Sequence, residues 1–128
     1  MRYLGIDFGR TRIGIAISDP EGRIAFPHAI YLRKNPRLEG DFKKILADEG
    51  IEKIIIGLPL ADNGGETEES GMVREFSAWL GGISGLPIEF ENEMYTSRMA
   101  EHAGVKRASK DAASAAIILQ SYMDRNNK

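Results

Sequence analysis

Leu4-Gly5-Ile6-Asp7-Phe8-Gly9-Arg10-Thr11-Arg12-Ile13-Gly14-Ile15-Ala16-Ile17-Ser18-Asp19 decides the fold of this chain. Two apolar, strand-like runs flank a Gly9-Arg10-Thr11 turn. A carboxylate, Asp7, stands inside the first run, where an apolar side chain would carry no desolvation penalty. Burying an unpaired carboxylate is very unfavourable, so Asp7 either lies at an exposed strand end or has a partner. A metal ion, or a metal carried by a phosphate, is one such partner. Gly9 permits a tight turn and Gly14 permits close backbone approach, which suits a cradle for a metal-bound phosphate.

Outward from this hairpin, Arg2–Phe8 and Arg12–Ser18 read as strands, and Asp19-Pro20-Glu21-Gly22 as a turn. Ile24–Ile30 makes a third strand, and short links imply an antiparallel meander. Asn35-Pro36 begins a helix with Leu38, Phe42, Ile45, Leu46 and Glu49 on one face and Gly50 as its stop. Lys53–Ile56 is a short, continuous apolar strand of the buried kind. A loop rich in Gly, Pro, Asp and Asn covers Gly57–Glu66, with Leu58–Glu66 expected on the acid side of the sheet. Thr67–Leu80 carries Met72, Val73, Phe76 and Leu80 at helical spacing and ends at Gly81-Gly82. Pro87–Glu91 is a fifth strand, Thr96–Ala103 a short helix and Gly104–Ser109 a basic loop. Lys110–Arg125 is the last helix, with Ala112, Ala115, Ala116, Leu119, Tyr122 and Met123 as its core stripe. Antiparallel strands followed by helix-separated strands predict an α/β fold: a five-stranded mixed sheet with helices on both faces.

The chain has 128 residues, 42% hydrophobic and 28% charged, which fits a single domain over residues 1–128 with a real core. It has no cysteine, which excludes disulfides and thiolate zinc sites. No signal peptide or membrane span is read, so the cytoplasm is the expected location. A net charge of −2 argues against a constitutive nucleic-acid coat, but not against an enzyme that contacts phosphates locally.

Two further acids stand where they could converge on Asp7. Glu93 follows the fifth strand, and in α/β sheets sites gather beyond the carboxyl ends of strands. Its bland reading is a solvated turn acid before a Thr-capped helix. Asp111 opens the last helix, where an acid complements the helix dipole. It also continues the face of Ala115, Ile118 and Tyr122 toward the sheet. Three acids from three elements suit hard divalent cations, Mg2+ or Mn2+, bound through oxygen. Two such ions can clamp the attacking water and leaving oxygen of a phosphodiester. In this reading Asp7 bridges both ions, and Glu93 and Asp111 each complete one shell. Arg10 and Arg12 lie beside the hairpin, and Lys106, Arg107 and Lys110 crowd ahead of Asp111, as phosphate contacts or as a solvated face. His28 reads as strand-end filler and His102 as a helix-surface residue.

These pieces together resemble the Holliday-junction-resolvase-like pre-16S rRNA nucleases of bacteria. The resemblance spans nearly the whole chain. It rests on Gly5-Ile6-Asp7-Phe8-Gly9 with Arg12-Ile13-Gly14-Ile15-Ala16 and Ser18-Asp19. It continues through Ile55-Ile56-Gly57-Leu58-Pro59-Leu60 with Asn63-Gly64, then Glu93 with Thr96-Ser97. Its last piece is Lys110-Asp111-Ala112-Ala113-Ser114-Ala115 with Ile117-Ile118-Leu119-Gln120-Ser121-Tyr122. The resemblance implies a ribonuclease H-like fold, Mg2+- or Mn2+-dependent cleavage of nucleic acid, and 5′-end maturation of 16S rRNA. It carries an acidic triad onto Asp7, Glu93 and Asp111, adds Asn63 to the substrate contacts, and brings ribosomal particles in as partners. One segment departs from the usual Asp-Glu-Arg-Leu-Thr-Thr: here it is Asn92-Glu93-Met94-Tyr95-Thr96-Ser97. A guanidinium is thereby missing, and with it a bidentate phosphate donor. Glu91, in the preceding strand, is the alternative ligand if the segment slips.

Three functions compete on the sequence. The first is a metal-dependent nuclease on structured RNA or branched DNA, with Lys110 or Arg12 steadying the scissile phosphate. The second is a catalytically silent RNA-binding module in ribosome assembly, for which Asn92 and Met94 argue. The third is an actin- or Hsp70-like nucleotide-binding domain, suggested by Asp7-Phe8-Gly9-Arg10-Thr11 and weakened by the lack of a second phosphate loop.

Overall fold

The structure, a computed structural model, describes residues 1–93 and 110–126, with the side chains of Lys110 and Asp111 excepted. The expected helix Thr96–Ala103, the loop Gly104–Ser109, Met94, His102, Lys106 and Arg107 lie outside the described residues.

The hairpin pairs as its alternation requires. β1 (Tyr3–Phe8) runs antiparallel to β2 (Arg12–Ser18), with Asp7 opposite Gly14 and Gly5 opposite Ala16. β3 (Ala25–Leu32) continues the meander against β2, with a register shift between Ile15 and Ala16. Pro27 is tolerated because β3 is a sheet edge, where a missing N–H breaks no ladder. His28 is exposed in the middle of β3, not at its end. The chain then crosses through α1 (Leu38–Asp48) to β4 (Lys53–Leu58), and through α2 (Glu68–Ser84) to β5 (Ile88–Asn92). β4 pairs parallel with β1 and β5 parallel with β4, giving the order β3-β2-β1-β4-β5. The last helix, α3, spans Lys110–Asn126.

Two apolar layers follow from the strand period of two. Leu4, Ile6, Ile13, Ile15, Ile54 and Ile56 face α1 and α2, where Phe42, Ile45, Val73, Phe76 and Leu80 meet them. Ala16 and Ile55 face α3, meeting Ala115, Ala116, Ile118, Leu119, Tyr122 and Met123. The contact with α3 is close because its face is small and Gly5 lies beneath it. A Cβ at Gly5 would stand 2.7 Å from Leu119 Cβ and 3.0 Å from the Ala115 carbonyl.

Several boundaries differ from the sequence reading. β3 runs on from the expected Ile30 to Leu32, α1 begins at Leu38 instead of at Asn35-Pro36, and β5 is shifted by one residue. β4 continues through Gly57 and Leu58, because these residues pair with Glu91 and Asn92. α2 runs past Gly81-Gly82 to Ser84 and is stopped by Gly85, in the left-handed conformation at φ 67°. Its start is fixed by a capping box in which the Thr67 side chain and Ser70 N–H, and the Ser70 side chain and Thr67 N–H, bond reciprocally.

Candidate active site

The carboxyl ends of β1, β4 and β5 lie side by side, and this edge carries the acids. Asp7 is the penultimate residue of β1 and faces α3, as the alternation with Ile6 and Phe8 demands. Glu93 follows β5 directly. Its backbone N–H donates to the Leu58 carbonyl at 3.2 Å, extending the β4–β5 pairing past the strand end. The side chain crosses Gly57 to reach Asp7. A Cβ at position 57 would stand 2.9 Å from Glu93 Oε1 and 2.6 Å from Ile118 Cδ1, so any side chain there would have to push both of these ends aside.

The two carboxyl groups hydrogen-bond to each other, and Glu93 is pushed up to about 7. Burial is the largest cause, followed by the negative charge of Asp7 and the hydrogen bond between the pair. The pair therefore holds a proton well above the range of an ordinary carboxyl.

Asp111 lies in the first turn of the last helix. Along α3, Tyr122 packs edge-on against Tyr3 at 6.0 Å, and Leu119 and Ala115 lie on Gly5. The helix thus runs antiparallel to β1, and its first turn, with Lys110 and Asp111, comes to the Asp7 end of the sheet.

Glu91, the alternative acid, is occupied elsewhere. It is 2% exposed, accepts from Ser121 Oγ at 2.7 Å and is paired with Arg125 Nη1 at 2.9 Å. Glu89, on the same strand face, accepts from Lys53 Nζ at 2.7 Å and from the Tyr122 hydroxyl. Glu93 alone of the three turns to Asp7. Sequence reasoning missed Gly57 and the Ser121–Arg125 clamp. The only available signal was the i, i+2 spacing of Glu89, Glu91 and Glu93, which puts all three on one strand face.

The cationic candidates divide. Arg12 opens β2 at the same sheet end and is exposed. Arg10 reaches the other way and pairs with Glu69 in the first turn of α2 at 2.8 Å. Asn63 accepts from the Gly65 N–H at 2.8 Å, shaping its own loop. That loop follows β4 at the acid end and is closed by bonds from Ala61 N–H to the Gly65 carbonyl and from Gly64 N–H to the Ala61 carbonyl.

A mixed sheet of this order, with an acid pair at the carboxyl ends of β1 and β5, has the ribonuclease H-like fold. The chain belongs to the RuvX family: the family model described as Holliday junction resolvase matches residues 1–125. A relative from Anaplasma marginale named "Putative pre-16S rRNA nuclease" is 41% identical over 132 residues, covering 96% of this chain and 84% of the relative. One of the same name from Cupriavidus necator is 37% identical over 125 residues, covering 95% and 87%. Among solved structures, Thermus thermophilus RuvC in complex with a Holliday junction superposes with a TM-score of 0.61 at 16% identity, covering 99% and 96%. The fowlpox virus resolvase with its Holliday junction DNA gives 0.56 at 15% identity over 100% of both chains. At such identities these two establish the fold. The family and its curated relatives support a nuclease function. Among the described residues, no helix is long and apolar enough to cross a membrane.

Proposed function

We propose that this chain is a divalent-metal-dependent nuclease that cuts structured RNA, acting in the cytoplasm on pre-16S rRNA within ribosomal particles. The observation that carries the reading is the Asp7–Glu93 pair. Two carboxyl groups are held against each other in a half-buried niche that Gly57 keeps open, at a free-energy penalty that a cation would relieve. A donor set made only of carboxylate oxygen fits Mg2+ or Mn2+. Asp7, Glu93 and Asp111 are the residues that would hold the metal. When bound, a pair of such ions supplies an activated water and neutralises charge on a phosphodiester.

The chain's own groups do the rest. Gly57 and the Leu58 carbonyl aim Glu93, and β1 aims Asp7. Arg12 and Lys110 stand at the same sheet end to steady the scissile phosphate, with Lys106 and Arg107 as further phosphate contacts. Arg10 contributes by fixing the hairpin turn to α2, and Asn63 by shaping the adjacent loop.

Branched DNA is the second substrate class, favoured by the family's description as Holliday junction resolvase. The test is cleavage of a 5′-extended 16S rRNA fragment and of a four-way DNA junction, each with Mg2+ and with Mn2+, by wild type and Asp7→Asn. Cutting of the RNA by wild type alone supports the reading. Cutting confined to the junction moves the substrate to DNA. Tight RNA binding with no cleavage under either metal would make the chain a silent assembly module.

A further inference from the structure

A hollow of about 390 Å3 lies on the opposite face of the sheet from the acids, between β1 and α2. Phe8 forms its floor and is the chain neighbour of Asp7. Consecutive strand residues point to opposite faces, so the acid site and this hollow lie back to back across the sheet at the carboxyl end of β1.

The hollow is lined for stacking. The Phe8 and Phe76 rings stack at 4.3 Å, and the Arg33 guanidinium lies over Phe8 at 4.5 Å. Trp79 leans on Phe76 at 5.7 Å between centroids and is 36% exposed, so part of its indole faces the hollow and solvent. Met72, Glu75 and Trp79 line the α2 side at helical spacing, so a carboxylate acceptor stands beside the aromatic wall. Arg33 is the basic residue of the lining, and Lys34 and Arg37 are exposed in the same β3–α1 connection. The Arg33 guanidinium also donates to the Arg10 carbonyl at 2.9 Å, which ties this connection to the turn following Asp7.

We propose that this hollow seats an unpaired nucleobase of the strand whose backbone lies at Asp7 and Glu93. The inference rests on the nucleic-acid reading above and adds to it a requirement for an unstacked nucleotide next to the cut. A planar guanidinium and an exposed indole offer the flat faces on which unpaired bases stack. The flanking cations match the phosphates on either side, and the Glu75 carboxylate suits a base's exocyclic amino group.

Trp79 is the only tryptophan in the chain, so its emission reports on this hollow alone. Wild-type protein without divalent ions is titrated with a fluorescein-labelled single-stranded RNA oligomer, reading label anisotropy and Trp79 emission together. An abasic oligomer of the same length is the comparison. The expected result is quenching of Trp79 by the base-bearing oligomer only, with roughly tenfold weaker binding of the abasic one. Arg33→Ala should remove most of that difference. Binding by anisotropy with unchanged Trp79 emission, or equal affinity and equal quenching with the abasic oligomer, would overturn the base seat and leave the nuclease reading intact. No anisotropy change with either oligomer, and none with a structured pre-16S fragment, would overturn both.

Discussion

The stability of the metal-free protein should fall between pH 5 and pH 8, and Glu93 should be responsible. In the folded chain its carboxyl holds a proton up to about 7, whereas the ordinary value is 4.5. Between those values the folded state binds more protons than the unfolded one, so stability is full below 4.5 and is lost as pH rises through about 7. The whole difference corresponds to about 3 kcal/mol. Glu93 is only half-buried, and water screens part of this, so about 2 kcal/mol is expected. For a chain of this length that is roughly 6–8 °C in melting temperature. The assay is thermal unfolding in chelator-treated buffer at several pH values, for wild type and Glu93→Gln. Gln keeps the shape and removes the titration, so its curve should be flatter by that amount. Asp19, Glu66, Glu69 and Glu89 have lowered proton affinities and act below this window. Parallel curves for wild type and Glu93→Gln would refute the coupling of Glu93 to Asp7.

Asp7→Asn should abolish metal-dependent cleavage while raising metal-free stability at pH 8 by about 1 kcal/mol, because it removes the charge repulsion but leaves the burial of Glu93; a lower melting temperature with full activity would count against it. Gly57→Ala should lose about 1 kcal/mol of stability to crowding, yet at least tenfold in cleavage rate, since its Cβ would meet Glu93 Oε1 and Ile118 Cδ1; unchanged turnover would mean Glu93 does not cross position 57. Arg125→Met leaves Glu91 buried with Ser121 and should cost about 2–4 kcal/mol in urea unfolding, whereas a loss under 1 would show that Arg125 is not the counter-charge.

The meander and the order of crossovers were legible because two periods dominate the sequence: alternation in residues 12–18 and a helical stripe in residues 110–126. Asp7 was legible as the odd residue in an apolar strand. What escaped depends on pairs distant along the chain. Gly57 reads as a loop residue until β5 is seen to pair with it. The pairing of Arg10 with Glu69, from α2, likewise has no signal in the residues around Arg10. Gly81-Gly82 reads as a helix stop, but Leu80 and Ile83 on either side pack into the core and carry the helix to Gly85. The choice between Glu91 and Glu93 could not be made locally. They are the same residue type two positions apart on one face, and only Ser121 and Arg125 distinguish them.

That distinction has a consequence for how the last strand finds its place. β5 is an edge strand whose apolar residues, Ile88 and Phe90, alternate with glutamates. Sliding it by two residues would keep every side chain on its proper face, so hydrophobic patterning alone does not forbid the error. The charges around it mark the register instead. Lys53 accommodates a glutamate at the strand's start, Arg125 one at its middle, and beyond them lies a position with an acid already in it. A slide that brings Pro87 to the place of Glu89 would leave Lys53 without its carboxylate, whereas the opposite slide would give Glu91 to Lys53 and Glu93 to Arg125 and leave the place beside Asp7 without its acid. Lys53 and Arg125 thus check the register in one direction only, and in the other the native register is marked by Glu93 standing beside Asp7.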